Sequence, residues 1–204
     1  MKPIIIIGTG GHSKVVLDVL LKRGLKVLGF VSLDKKAGSF FCDYKILGGD
    51  NVIDSYKSSE ISLVNGVGVI AKDKRRWSIS KEFRAKGFSV LSIIDPSAII
   101  ALDATLDEGV HVMAGAIIQP GAAIGLDTII NSGAIIEHDC IIEESCHIAP
   151  GVTLSGNVRI GKESFIGVGS SIIHNISIGS NCTIAAGSVV FKDINNGDTF
   201  IQTK

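Results

Sequence analysis

The sequence has few aromatic residues and no apolar run long enough to cross a membrane. Of its 204 residues, 46% are hydrophobic but only 5% are aromatic. A spanning helix needs about 18 or more consecutive apolar residues, and the run Ile4–Ile7 ends at once in a glycine. The first residues also lack the apolar core and cleavage site of a signal peptide. We therefore expect a cytoplasmic protein without a membrane span.

The chain also lacks an excess of charge and a pattern of paired cysteines. Twenty basic residues balance twenty acidic ones, which argues against a nucleic-acid-binding protein that neutralises phosphates. The four cysteines, Cys42, Cys140, Cys146 and Cys182, form no CxxC motif. Neither a disulfide framework nor a metal site is therefore expected.

A period of six residues runs through the second half of the sequence. From Ile94 to Val190 every sixth residue is aliphatic, seventeen positions in all. If about a third of positions were aliphatic by chance, such a set would arise roughly once in a hundred million, so this is a hexapeptide repeat. The fourth residue after each aliphatic is most often small, as at Ala116, Cys140 and Ser164.

Such a repeat predicts a parallel β-helix for residues 93–204, with one hexapeptide for each flat face. One large and one small inward residue in every six suits short strands that are joined by tight corners, and it leaves little room for aromatic rings. We expect glycine and asparagine to supply the corner conformations at Gly125, Asn131, Gly161, Gly167, Gly179 and Asn181.

Residues 1–92 have a different pattern, which predicts a separate α/β domain. The expected strands are Ile4–Ile7, Lys26–Val31, Ile61–Val64 and Ser89–Ile93, and the expected helices are Ser13–Arg23 and Arg75–Lys86. Strands that alternate with helices form a parallel, Rossmann-like sheet, whose ligands bind at the carboxyl ends of the strands.

Three glycines follow the first predicted strand and could bind a phosphate. Gly8, Gly10 and Gly11 offer backbone N–H groups at a helix start, although the same residues also suit a simple tight turn. Because Ser13-Lys14 replaces the third glycine of GxGxxG, nicotinamide chemistry is disfavoured.

Other polar residues near the same sheet edge have two interpretations each. Asp34 follows the second strand and either bonds a sugar hydroxyl or is a solvated turn residue. Lys72, Lys74, Arg75 and Arg76 either meet phosphate or form the charged first turn of a helix.

One of the five histidines has the surroundings of a general base. His138 lies between Glu137 and Asp139, and a carboxylate that bonds one ring nitrogen fixes the tautomer so that the other accepts a proton. By repeat position alone, His138 is equally a histidine on an outer face without a role. His111 and His174 are expected at the surface.

Four motifs together resemble a known family. Gly8–Val16, Asn65–Gly68, Asp95–Ala98 and Ile136–Cys140 are similar to the hexapeptide-repeat sugar acetyltransferases of the bacillosamine and sialic-acid pathways, and the resemblance covers nearly the whole chain. It implies a left-handed β-helix, a homotrimer, a nucleotide-sugar-binding domain over residues 1–92 and an acetyl-coenzyme A-binding domain over residues 93–204.

The resemblance also assigns roles to individual residues. It implies that His138 is the base and that Asp139 orients it. The residues that would contact the nucleotide sugar are Gly10, Gly11 and His12, with Asp34, Gly68 and Arg75 as further contacts and Asn131 at the acceptor sugar. Those that would contact acetyl-coenzyme A are His147, Gly156, Val168 and Ala186, although repeat structure alone also explains Val168 and Ala186.

The sequence departs from the family pattern at two places. Asp95 stands where the family usually has a histidine. A Gly-Val-Pro-Ala-type ending is replaced by Thr199–Lys204, so either coenzyme A binds more weakly or a partner chain takes the place of the tail. A covalent relay through Cys140 or Cys146 is disfavoured because both thiols occupy inward repeat positions.

The leading hypothesis is an acetyl-coenzyme A-dependent N-acetyltransferase that acts on a UDP-4-amino-4,6-dideoxy sugar in surface-glycan biosynthesis, without a metal. The alternatives are an O-acetyltransferase on sialic acid or a related sugar, and a non-catalytic trimer that binds a nucleotide sugar.

Overall fold

The structure, a computed structural model, describes residues 2–71 and 73–202. It divides into two compact units, Met1–Val69 with Arg75–Ile93, and Ile70–Lys74 with Ile94–Lys204. Lys72, one of the basic residues considered for phosphate, and the last two residues lie outside the described residues. In the part of the chain that is described, no helix is both long enough and apolar enough to cross a membrane.

The first unit is built on a five-stranded sheet. Its elements are β1 (Ile4–Ile7), α1 (Gly11–Lys22), β2 (Val27–Val31), β3 (Phe40–Phe41), β4 (Tyr44–Gly48), a 3₁₀ helix (Asp50–Ser55), β5 (Ser62–Asn65) and α2 (Arg75–Ala85). The strand order is β3-β4-β2-β1-β5, with parallel pairing except between β3 and β4. The predicted α/β domain is confirmed, and the β3–β4 hairpin was not predicted.

Burial explains why the central elements form as they do. All four isoleucines of β1 are buried, and α1 turns Val16, Val19 and Leu20 inward. The helix begins at Gly11, two residues before the predicted start, with Gly10 as its N-cap. The predicted strand Ser89–Ile93 is not part of this sheet. Val90 makes one isolated bridge to Leu63, and Ile93 begins the short strand Ile93–Ile94, which belongs to the β-solenoid described next.

The second unit is a parallel β-solenoid with three flat faces, which confirms the predicted β-helix. The first face has seven strands: Ile93–Ile94, His111–Val112, Ile129–Ile130, His147–Ile148, Phe165–Ile166, Thr183–Ile184 and Thr199–Phe200. The second face has six: Ile99–Ile100, Ile117–Ile118, Ile135–Ile136, Thr153–Leu154, Ser171–Ile172 and Val189–Val190. The third face has five: Thr105–Leu106, Ala123–Ile124, Ile141–Ile142, Arg159–Ile160 and Ser177–Ile178.

Each coil contains three hexapeptides, so paired residues on one face are 18 apart, as Ile118 and Ile136 are. The repeated aliphatics from Val112 onward are buried in the interior, whereas Ile94, Ile100 and Leu106 in the first coil are only partly buried. The last coil is two residues shorter, since Ile178 bridges to Ile194 and Thr183 pairs with Thr199. Ile194 therefore takes a place on the third face and not the small inward position that the repeat predicts.

Polar side chains at the small inward position are satisfied by one recurring hydrogen bond. Five of them donate to the carbonyl oxygen 15 residues later, at distances of 2.8 Å for Thr128, 3.2 Å for Cys140 and Cys146, 2.8 Å for Ser164 and 3.0 Å for Ser170, and Cys182, before the shortened last coil, donates to Asn195 O at 3.0 Å. Because a buried polar group without a bond is costly, this ladder lets hydroxyl and thiol groups replace alanine in the core.

From Gly109 to Gly187 the corners have a positive φ at every sixth residue, which is glycine, asparagine or aspartate except at Ser145 and Glu163. Of the six residues predicted to supply these conformations, only Asn181 has a positive φ. The prediction was wrong for the other five, and for the four glycines among them the reason is steric and is not visible in the repeat. A Cβ on Gly125 would lie 2.7 Å from the backbone of Glu143, and one on Gly161 would lie 2.6 Å from that of Gly179. These glycines allow neighbouring coils to approach.

Candidate active site

The loop after β1 opens onto the start of helix α1. Gly10 is the N-cap, with an extended φ of −88°, and Gly11 and His12 are the first two helical residues. The first N–H groups of a helix have no partner within the helix and attract anions. No acidic residue occupies the first turn, and a Cβ on Gly10 or Gly11 would meet nothing within 4 Å. This surface can therefore receive a phosphate.

Hydrogen bonds join this loop to the end of β2. The Gly8 N–H donates to Val31 O at 2.8 Å, and the Thr9 and Ser32 hydroxyls are 2.9 Å apart. Ser32 Oγ also accepts the Asp34 N–H at 3.3 Å. The structure thus places exposed Asp34 at the same sheet edge as the glycine loop. Neither Thr9 nor Ser32 was predicted from sequence: Thr9 lies within the glycine motif, but its side chain carries no phosphate-binding signal, and Ser32 lies outside the motif.

The loop after β5 reaches the same place. A Cβ on Gly68 would lie 3.4 Å from the His12 Cβ, so these two predicted residues are neighbours. Arg75 is exposed at the start of α2, whereas Arg76, the next residue of the predicted charged first turn, has a buried side chain. Lys74, also considered for phosphate, forms an ion pair with Glu163 at 2.5 Å.

His138 and Asp139 lie at the corner between the second and third faces, which we call the second corner. His138 Nδ1 is 2.8 Å from Asp139 Oδ2, and both side chains are mostly exposed. Asp139 has a φ of 60°, a conformation that aspartate tolerates better than most residues. The bond fixes the tautomer in which Nδ1 carries the hydrogen, leaving Nε2 to accept a proton.

Glycines on the coils next to this pair provide its space. A Cβ on Gly156, one coil after His138, would lie 2.5 Å from both Cε1 and Nε2 of the ring. A Cβ on Gly121, one coil before Asp139, would lie 2.6 Å from Asp139 Oδ1. The imidazole therefore rests against the Gly156 backbone. The repeat pattern predicts neither requirement, because it does not specify how a side chain folds across a corner.

The other predicted residues of the solenoid gather at the corner between the first and second faces, the first corner. Asn131 Nδ2 lies 3.2 Å from Nε2 of His147, and the His147 ring meets Phe165 edge-on at 5.1 Å between centroids. Val168 and Ala186 are exposed on successive coils of this corner. A six-residue face of extended chain separates them from the second corner by about 15–20 Å. One chain does not bring the two groups together.

Two further histidines have contrasting positions. His174 is exposed as predicted, whereas the predicted exposure of His111 was wrong, because it is fully buried on the first face. The departure at Asp95 has a structural role: its carboxylate, also buried, accepts hydrogen bonds from the Ser97 N–H at 2.9 Å and the Ser97 hydroxyl at 2.6 Å. Asp95 thus stabilises the turn into the first coil.

The inward cysteines are chemically quiet. Burial raises the pKa of the Cys140 thiol and raises that of Cys146 to about 12, and their thiols donate to the carbonyls of Ser155 and Gly161. Since the thiolate is the nucleophile, neither cysteine is suited to carry an acyl group.

The third face carries a groove of about 510 Å³, and a second of about 250 Å³ continues from it. They share Ile141 and Glu143 in their linings. None of the predicted site residues lines either groove, so their volumes do not mark the candidate site.

Comparison with known proteins matches both units. Residues 3–83 match the PglD N-terminal domain, and residues 157–192 match the bacterial transferase hexapeptide family of six repeats. The acetyltransferase domain of PglB from Neisseria gonorrhoeae, in complex with acetyl coenzyme A, is 32% identical, over 97% of this chain and 95% of that chain, with a TM-score of 0.90. The chain belongs to the family of hexapeptide-repeat sugar acetyltransferases.

Two further solved structures extend the comparison. A perosamine N-acetyltransferase variant from Caulobacter crescentus, with a histidine changed to asparagine and in complex with CoA and GDP-perosamine, is 33% identical, over 98% of this chain and 93% of that chain, with a TM-score of 0.90. WeeI from Acinetobacter baumannii shares the fold at 21% identity, covering 99% and 97% of the two chains, with a TM-score of 0.79.

A curated relative is more limited. An uncharacterized protein of Acanthamoeba polyphaga mimivirus is 30% identical over 97 residues, which span 48% of this chain and only 19% of the viral protein.

Proposed function

We propose that this protein transfers the acetyl group of acetyl-coenzyme A to the amine of a nucleotide-linked amino sugar, of the UDP-4-amino-4,6-dideoxy type, for a surface glycan. The observation that carries the proposal is the exposed His138–Asp139 pair with its 2.8 Å bond, whose ring rests on Gly156. Similarity over 97% and 98% of this chain to acetyltransferases in complex with acetyl coenzyme A and with CoA and GDP-perosamine supports both substrate classes. A cytoplasmic location stays a prediction.

The chemistry would follow from the orientation of the imidazole. Asp139 accepts the hydrogen bond from Nδ1–H of His138, so the Nε2 lone pair takes a proton from the sugar amine as its nitrogen bonds to the acetyl carbonyl carbon. The Gly156 N–H stabilises the negative charge on the carbonyl oxygen. The carbon–sulfur bond then breaks, and the coenzyme A sulfur receives the proton from His138. Such a base contributes roughly 10² to 10⁴ in rate.

The substrates would occupy different parts of the chain. Gly10, Gly11 and His12 would bind the nucleotide phosphates through the start of α1, with Asp34, Gly68 and Arg75 at the same sheet edge. Asn131 would contact the acceptor sugar. His147, Val168 and Ala186 would hold acetyl-coenzyme A along the first corner.

We further propose a homotrimer, because the first and second corners of one chain are a face apart. Among the described residues of the second unit, six of the eight large apolar side chains that are exposed lie on the second face and its two corners: Ile99, Leu102, Val168, Ile173, Val189 and Phe191. Turning three such faces toward one axis covers apolar surface and brings the second corner of each chain to the first corner of the next.

Mixing two inactive variants tests this arrangement. In trimers assembled from His138→Ala and His147→Ala chains, about a quarter of the interfaces regain both histidines from different chains. Activity that returns on mixing supports sites shared between chains. Activity that stays at the level of the separate variants refutes them.

The test of the proposed activity is thiol release from acetyl-coenzyme A with amino sugars linked to UDP or GDP. His138→Ala should lower kcat by roughly 10²-fold or more, while His174→Ala, an exposed histidine at the same corner, should leave it unchanged. Release with hydroxyl acceptors only would identify an O-acetyltransferase. No release with any acceptor, despite binding of the nucleotide, would indicate a non-catalytic binding protein.

A further inference from the structure

A buried polar cluster lies beneath the loop that follows β5. Asn65, Arg76 and Ser80 are all almost fully buried. Arg76 Nη1 donates to Asn65 O at 2.5 Å and to Val67 O at 2.9 Å. In return, Asn65 Nδ2 donates to Arg76 O at 2.7 Å and to Ser80 Oγ at 2.8 Å.

Such a cluster must have specific bonds, because burying a guanidinium without them is strongly unfavourable. Here the bonds go to backbone carbonyls of one short loop, on both sides of Gly66. The Val67 N–H also donates to Asn65 Oδ1 at 3.1 Å, so Asn65 and Arg76 together fix three polar groups of the loop backbone. The loop backbone at Gly66 also packs closely against its neighbours, since a Cβ on Gly66 would lie 2.5 Å from Ser13 Oγ and 2.8 Å from Ile6 Cγ2.

The same loop is tied to helix α1 and ends beside it. Ser13 Oγ donates to Gly66 O at 2.9 Å, and Gly68 lies against His12. In a trans peptide the carbonyl and the next N–H point in opposite directions. Since Arg76 draws the Val67 carbonyl inward, the Gly68 N–H points away from the guanidinium, and Gly68 is exposed.

We propose that Arg76 is a positioning residue for nucleotide-sugar binding, holding the Asn65–Gly68 loop so that the Gly68 N–H faces a phosphate at the start of α1. This inference rests on the proposed function, because it assumes that the phosphates of the nucleotide bind at that helix start. Arg76 itself is buried and acts through the loop, whereas exposed Arg75 is the neighbouring candidate for direct contact.

The test compares Arg76→Met, which keeps much of the side-chain length but has no donors, with Arg76→Lys, which keeps the charge. Calorimetry with UDP and GDP should show Kd raised about 10- to 100-fold in Arg76→Met, the loss expected for a charged hydrogen-bonding group. Arg76→Lys should recover part of the affinity. In steady-state assays the KM for the nucleotide sugar should rise, while the KM for acetyl-coenzyme A should stay within about twofold.

A control and a milder variant keep the test decisive. Lys81→Ala removes an exposed charge from the same helix and should change neither the Kd for the nucleotide nor the KM for the nucleotide sugar. If Arg76→Met does not fold, Ser80→Ala weakens the same cluster and should raise the nucleotide Kd in the same direction. Unchanged nucleotide affinity in the folded variants, measured well below their Tm, would overturn the positioning role.

Failure of the proposed function gives a different result. If the unmodified protein binds neither UDP nor GDP, the nucleotide assignment itself is wrong, and the proposal for Arg76 fails with it. If the unmodified protein binds a nucleotide and the Arg76 and Ser80 variants bind it equally well, only the proposal for Arg76 is refuted.

Discussion

Gly156→Ala should displace the candidate base without removing any catalytic group. The new Cβ would lie 2.5 Å from Cε1 and Nε2 of His138, whereas non-bonded carbon atoms pack at about 3.5–4.0 Å. The ring must therefore move outward by about 1 Å. A misplacement of that size can cost about 10²-fold in rate, and alanine keeps the backbone N–H that is proposed to face the thioester.

The stability of Gly156→Ala should change little. The His138 side chain is 62% exposed, so it can swing into solvent without opening a core cavity, and the φ of Gly156 is outside the positive region. A change of less than about 1 kcal/mol in the free energy of unfolding is expected. If the free energy of unfolding is unchanged, a decrease in thiol release reports a loss of turnover and not a loss of folded protein.

The decisive control is the double variant. If Gly156→Ala acts through the imidazole alone, His138→Ala/Gly156→Ala should be no slower than His138→Ala. The reasoning is refuted if Gly156→Ala keeps turnover within about threefold of the unmodified enzyme, or if it slows a chain that already lacks His138.

The remaining predictions concern the orienting carboxylate, the thiols and the core. Asp139→Asn should lower kcat roughly 10- to 100-fold in the thiol-release assay, since it removes the charge that stabilises the imidazolium; an unchanged kcat would exclude an orienting role. Cys140→Ala should retain turnover, and its abolition would revive a covalent relay. With its pKa at about 12, Cys146 is expected to be about one part in 10⁴ thiolate at pH 8, so iodoacetamide should label it only after unfolding; labelling of the native protein would contradict its burial. Ile148→Ala should lower the free energy of unfolding in urea by about 2–5 kcal/mol, against about 0.5 kcal/mol or less for outward Ser177→Ala.

The hexapeptide repeat made most of the solenoid predictable. A strict period of six fixes which side chains point inward, and the buried positions from Val112 to Val190 follow it. Ile94, Ile100 and Leu106 fit the same period but are only partly buried, because they belong to the first coil. The sequence pattern could not predict this, since it contains no information on where the stack of coils begins. The last coil is two residues shorter, which the period of six does not indicate, and the predicted position of Ile194 was therefore wrong.

The candidate site was predictable where function depends on short motifs. The glycine loop and the His138-Asp139 pair are each local in sequence: adjacency offered Glu137 and Asp139 as partners for His138, and the family resemblance chose Asp139. The burial of Arg76 was not predictable, because adjacent arginines at a helix start look alike in sequence, and only tertiary packing decides which one turns toward the Asn65–Gly68 loop. His111 occupies an outward strand position, where the period gives no sign that it is covered.

The coil of 18 residues fixes the spacing of side chains along the solenoid axis. Residues that share a corner, such as His138 and Gly156, are one coil apart, and neighbouring strands are spaced by about 4.8 Å. Groups on one corner can therefore be separated only by whole steps of that length. The gain or loss of 18 residues would carry a group along the axis by one step and leave its direction unchanged. The number of coils between two groups thus sets their distance along the solenoid axis, and therefore along a bound substrate. The corner on which a group lies sets the direction in which it points.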